Sequence, residues 1–170
     1  DILSHLIPSV AQRQSKISFD VKPARASHAP SVKSLGISGQ LTGSRSGLII
    51  ADDVESANNS ATMGMRDKLS EQVKEFESIL KPDGRIVFLG TMQNEMSLYN
   101  TLPQRGYKQR IWPALYPSDS QMKSYGTVLA PMIKNTINED IVGKPTDPQR
   151  FDEEDLAQRK FSYGASGFNL

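Results

Sequence analysis

One hundred and seventy residues with a formal net charge of +1 suffice for one domain with its own core. The chain has no cysteine, which excludes a disulfide frame and any Cys-based metal site and agrees with a reducing compartment. No apolar run approaches the ~20 residues of a membrane span, and no signal peptide is visible, so the sequence reads as soluble and cytosolic. It starts at Asp1 without a methionine and stops without any tail-like composition, as expected of a piece of something longer.

Charge is unevenly spread. Residues 1–51 carry six Lys/Arg against two acids, residues 52–100 five against nine, and the remainder nine against eight. A basic front could meet an anionic partner, although ordinary charge scatter gives the same pattern.

Ile2, Leu3, Leu6, Ile7 and Val10 recur at helical spacing and predict the tail of a helix interrupted by Pro8. In 16–21, Ile17, Phe19 and Val21 alternate as in a strand. A proline-containing loop follows, and 32–38 is a second strand candidate. The Gly/Ser-rich stretch 38–47 must turn. Leu48-Ile49-Ile50-Ala51 is short and continuously apolar, as a buried parallel strand would be. Met65, Leu69, Val73, Phe76, Ile79 and Leu80 step by three and four, which predicts an amphipathic helix stopped by Lys81-Pro82-Asp83-Gly84. Residues 85–90 are the next strand, 95–102 a short helix, and 107–112 a further strand. Alternating strands and helices with apolar strands predict a parallel α/β sheet. The last forty residues, proline-punctuated and charged with one modest helix near 152–161, read as a departing segment.

The stretch GLIIADDVESANNS, 47–60, drives an apolar strand into two adjacent aspartates. In parallel α/β sheets, ligands bind outside the carboxyl ends of the strands. Asp52 and Asp53 occupy such an end, and Thr91 occupies the corresponding end of the next strand. Two like charges need compensation, and Mg²⁺, a hard cation that keeps waters, is the usual one. Asp52 would then anchor the metal, leaving Asp53 or Glu55 to orient a water; a solvated acidic turn is the plain alternative.

Three active classes share this strand end. A two-component receiver needs a phospho-accepting Asp on a later strand, but the next strand ends Gly90-Thr91-Met92. A metal-dependent nuclease could use Asp52, Asp53 and Glu55, but no third acid lies at a neighbouring strand end. A phosphate-driven motor needs an acidic strand end, a following helix and a small polar strand end, in that order, and all three are present. It also needs G-x-x-x-x-G-K-S/T, which this sequence lacks. The gap closes if the chain is the later part of a nucleotide-binding domain.

HAPSVKSLGISGQLTGSRSGLIIADDVESANNSATMGMRDKL, FLGTMQNEMSLYNTL, IWPALYP and PTDPQRFDEEDLAQRKFSYGASGF resemble the large terminase subunit of short-tailed double-stranded-DNA phages, the ATP-driven genome-packaging motor. The resemblance runs from about residue 10 to the end. It implies a partial P-loop-type (RecA/ASCE-like) parallel sheet flanked by helices. Residues 1–140 would be the C-terminal part of the ATPase domain, and 141–170 a linker toward a nuclease domain. It also implies ATP and Mg²⁺ as cofactors, double-stranded DNA, portal and small terminase subunit as partners, a homo-oligomeric ring, and the host cytoplasm as location.

By the same resemblance, LIIAD matches the Walker B strand, with Asp52 as the Mg²⁺-associated acid. Asp53 stands where many relatives have the catalytic glutamate, and Glu55 stays open as water activator because an aspartate reaches less far. Gly90-Thr91-Met92-Gln93 resembles the coupling motif that senses the γ-phosphate, making Thr91 and Gln93 nucleotide-contacting residues. Arg45, in Thr42-Gly43-Ser44-Arg45, is a candidate arginine finger toward an adjacent subunit; a DNA-phosphate contact and a solvated loop charge are its competing readings. Trp112 is expected in a core or domain contact. Glu153, Glu154 and Asp155 are read as a helix start favoured by the dipole. The alternatives to a packaging motor are a helicase-like nucleic-acid translocase and a non-catalytic interaction fragment.

Overall fold

The computed structural model describes residues 2–39, 41, 43–92 and 94–168. By their contacts these fall into two units, Asp1–Gly90 and Thr91–Leu170.

In the first unit the expected N-terminal helix is one 3-10 turn, Ser4–Leu6. Pro8 follows at once, and Ile2, Leu3, Ile7 and Val10 are all exposed, so the helical spacing there has no face to bury. Strands β1 (Ser18–Phe19) and β2 (Val32–Lys33) pair antiparallel, Ser18 opposite Lys33 and Phe19 opposite Val32. The pairing is much shorter than the alternation predicts because side chains take over beyond it. The Ser31 N–H donates to Asp20 Oδ1 at 3.0 Å and the Val21 N–H to Ser31 Oγ at 3.2 Å, bonds that a longer ladder would have made between backbones.

Strand β3 (Ser46–Asp52) is followed by a short helix α1 (Ala57–Ser60), helix α2 (Met63–Ile79) and strand β4 (Leu80–Leu89). The two strands are parallel, with Ile49 opposite Ile86, Ala51 opposite Phe88 and Asp52 opposite Leu89. Thr62 caps α2, its Oγ1 accepting from the Met65 N–H at 3.3 Å. Leu69, Val73, Phe76 and Ile79, three and four apart, are the buried face of the helix. Phe76 meets Phe88 of β4 with ring centroids 5.9 Å apart and planes tilted by 32°. Burying each such side chain stabilises the fold by about 1.5–3 kcal/mol.

The passage from α2 to β4 is abrupt. Leu80 already has extended backbone while its N–H still donates to the Phe76 carbonyl. Residues 81–84 then bulge out of register between the pairs Ser46–Leu80 and Leu48–Arg85. The turn signal Lys81-Pro82-Asp83-Gly84 thus does end the helix. Asp83 takes a left-handed φ of 63°, and a Cβ on Gly84 would lie 2.7 Å from Leu80 Cδ1 and 2.8 Å from the Lys81 carbonyl oxygen.

In the second unit, α3 (Leu98–Thr101) passes into a 3-10 turn, Leu102–Arg105, which Gly106 ends with a φ of 90°. Leu98, Tyr99 and Leu102 are buried. The strand expected at 107–112 does not form: Ile111 makes a single parallel bridge to Leu129. Its N–H donates to Val128 O and its carbonyl accepts from the Ala130 N–H, after which Pro113 removes the next donor but one. Among the described residues the parallel sheet therefore has two strands, not three.

Helices α4 (Asp119–Tyr125) and α5 (Pro131–Thr136) were not foreseen. Leu129, Ala130 and Ile133 form a small core against Tyr116, Met122 and Tyr125. Thr146 Oγ1 donates to the Pro113 carbonyl at 2.7 Å and ties the segment after α5 back to the chain before α4. Trp112, expected in a core or contact, is 60% exposed. The last helix, α6 (Glu153–Phe168), is broken at Gly164, where φ is 72°. Among the described residues no helix is long and apolar enough to cross a membrane.

Candidate functional site

Strand β3 delivers Asp52 to the carboxyl end of the parallel pair, opposite Leu89. The apolar run before it alternates in burial: Ala51 lies beneath α2's side of the sheet, and Leu48, Ile50 and Asp52 are exposed. An exposed carboxylate at the end of an otherwise apolar strand costs little to keep charged.

Asp53 continues the ladder by one bond, its N–H donating to Leu89 O at 2.9 Å. Its φ is 45°, in the left-handed region. Asp and Asn enter that region at lower cost than longer or β-branched residues, because a short polar side chain can bond locally. This gives a backbone reason for Asp rather than Glu at this position. Asp53 is exposed.

Glu55 differs: it is only 3% exposed. Its surroundings are built by the Asn-rich stretch that follows. Asn59, in α1, accepts at Oδ1 from the Ser56 N–H (2.8 Å) and donates from Nδ2 to the Val54 carbonyl (2.9 Å). Ser60 Oγ donates to the Ser56 carbonyl at 2.8 Å, and Arg66 Nη1 of α2 donates to the Ser60 carbonyl at 2.9 Å. The loop after the aspartates is thus clamped to α1, and α1 to α2. Sequence reasoning did not single out Asn59; its signal was an Asx residue four places after Glu55, within reach of its flanking peptides.

Arg45 lies elsewhere. It immediately precedes β3, is exposed, and its Nη1 donates to the Ser44 carbonyl at 2.9 Å. Seven strand residues at ~3.3 Å each set it roughly 20 Å from Asp52 within one chain. Thr91 follows Gly90 directly and is exposed. Gln93 lies outside the described residues, as does Thr42.

Among the described residues no group of three or more His, Asp or Glu is arranged to hold a metal. An exposed Asp52 nevertheless fits Mg²⁺, which takes one or two carboxylates and keeps waters and substrate phosphates as its other ligands. The three acids Glu153, Glu154 and Asp155 lie in the first turn of α6, and Asp155 has a local partner. Asp152 Oδ1 accepts from the Asp155 N–H at 2.9 Å and Asp155 Oδ2 from the Asp152 N–H at 3.4 Å, a reciprocal cap of that helix.

A parallel strand pair under a covering helix, ending on exposed carboxylates, defines an α/β protein with a polar strand-end site. No family model matches the chain. It is 55% identical over 175 residues to the terminase large subunit of Enterobacteria phage T3, a match that covers 99% of this chain. Nearly the whole of this chain thus matches a segment of a terminase large subunit, and it spans about 30% of the length of that relative.

Proposed function

We propose that this segment is the acidic strand end of an ATP-driven motor that moves double-stranded DNA into a capsid shell. The finer fold is that of a P-loop nucleotide-binding sheet, with residues 1–140 in the ATPase domain and 141–170 leading toward a nuclease domain. The observation that carries the reading is Asp52, exposed at the carboxyl end of a parallel pair. The relationship to a terminase large subunit supports it.

In this reading Asp52 holds Mg²⁺, which when bound would neutralise phosphate charge. Glu55 orients and deprotonates the attacking water. Its withdrawal from solvent and the clamp on its loop suit a group that must hold one geometry in a water-poor site. Asp53 adds negative charge beside Asp52 and shapes the turn; its adjacency to Asp52 makes it the second candidate for the water. Thr91 and Gln93 contact nucleotide, Arg45 reaches the neighbouring subunit's nucleotide in a ring, and portal and small subunit are the assembly partners. The phosphate loop, absent from these residues, comes from another part of a large subunit.

The test is nucleotide binding by a large subunit that carries this segment, with and without Mg²⁺. Asp52→Asn should abolish most of the Mg²⁺-dependent gain in ATP affinity while leaving metal-free binding unchanged. An unchanged Mg²⁺ dependence refutes the assignment.

A further inference from the structure

We propose that Asn59 is the positioning residue for Glu55, a role that rests on the reading of Glu55 above. The geometry is specific to one residue. The Val54 carbonyl belongs to the peptide before the Glu55 Cα, and the Ser56 N–H belongs to the peptide after it. The first peptide plane fixes Glu55's φ and the second fixes its ψ. A single side-chain amide binds both, Nδ2 to Val54 O at 2.9 Å and Oδ1 to Ser56 N at 2.8 Å. Asn59 therefore sets both backbone torsions of the residue between them, and with them the direction of its Cα–Cβ bond.

Only an amide does this. The clamp needs a donor and an acceptor on two separate atoms of one short side chain, which Asn supplies and neither Asp nor Ser does. An aspartate would keep the acceptor toward Ser56 and set a second oxygen against the Val54 carbonyl. Asn59 is itself anchored: its N–H donates to the Ser56 carbonyl at 3.1 Å, and the next residue, Ser60, is bound by Arg66 of α2. The clamp thus refers Glu55's position to the helix that packs on the sheet. Misplacing a reacting group by about 1 Å can cost about 10²-fold in rate.

The test measures ATP turnover and ATP binding in a large subunit carrying this segment, with Asn59→Asp, Glu55→Gln and the double variant, and thermal unfolding alongside. Asn59→Asp should lower kcat about 10- to 10²-fold with KM for ATP within about twofold, and should cost nothing further in the Glu55→Gln background. Asn59→Ser serves the same comparison if Asn59→Asp does not fold. The proposal is overturned if Glu55→Gln abolishes turnover and the folded Asn59 variant keeps it, or if the Asn59 loss is equally large without Glu55. If Glu55→Gln itself retains turnover, the water-activating role of Glu55 fails and this proposal falls with it; the two failures are therefore told apart by the Glu55 single variant.

Discussion

The Asp53 amide donates to the Leu89 carbonyl at 2.9 Å, one step beyond the last paired residues of the parallel ladder. The sheet therefore holds the backbone of Asp53 while its left-handed φ of 45° turns the chain away toward Glu55. Replacing Asp53 by Val should destabilise by about 1–2 kcal/mol, because a β-branched residue resists that conformation. Asp53→Asn and Asp53→Gly should be close to neutral for stability. Equilibrium unfolding of the three variants checks this; equal stability of the Val and Gly variants refutes the backbone argument.

The bulge between α2 and β4 makes a second prediction. A Cβ on Gly84 would sit within 2.8 Å of the Lys81 carbonyl oxygen, a backbone atom that cannot swing aside. Gly84→Ala should cost about 1–3 kcal/mol, measured as a lowered denaturation midpoint with an unchanged slope.

Phe76 joins helix α2 to strand β4. It is buried and meets Phe88 ring to ring. Phe76→Ala should cost about 3–5 kcal/mol and Phe76→Leu much less. Loss of nucleotide binding together with unfolding in the Ala variant, and retention of both in the Leu variant, would tie the strand-end acids to this packing.

Arg45 and Asp52 stand at opposite ends of one strand, so an arginine finger here has to act on another subunit's nucleotide. Arg45→Ala should leave ATP binding nearly intact and lower hydrolysis by about 10³-fold or more in the assembled ring. Mixing it with Glu55→Gln subunits should restore part of the activity, since one complete site then forms at a mixed interface. Absence of rescue at every ratio places Arg45's role within the subunit or in a DNA contact.

The elements that sequence made legible are those whose burial pattern repeats over many residues. LIIA marks β3 as a strand, although Leu48 and Ile50 are exposed where the continuous apolar run predicts burial, and the six-residue ladder from Met65 to Leu80 covers more than four turns, so α2 is legible with its ends within a few residues. The short elements are held by other means. α4 rests on a reciprocal cap in which Ser118 and Gln121 bond each other's backbone amides, and α5 opens on Pro131. Neither is long enough to show a period. At 107–112, apolar and long side chains suggest a strand, but among the described residues no partner offers more than one bridge.

At the site, the acids were visible as residue types, while their environments were not. Asp52, Asp53 and Glu55 look alike in the sequence, yet two are exposed and one is buried. What separates them is a long-range ladder bond at Asp53 and a local one, the Asn59 clamp around Glu55, whose Asx signal was in the sequence but was not singled out.

Single-turnover hydrolysis tests directly whether this strand end drives ATP hydrolysis with Glu55 as the group that activates water. A large subunit carrying this segment would be compared as wild type, Asp53→Asn and Glu55→Gln, with ATP and Mg²⁺ bound beforehand. The expected result is full ATP binding in both variants, a loss of about 10²–10⁴ in the chemical step for Glu55→Gln, and a much smaller loss for Asp53→Asn. A chemical step left within about twofold by Glu55→Gln, whatever Asp53→Asn does, shows that Glu55 does not activate the water.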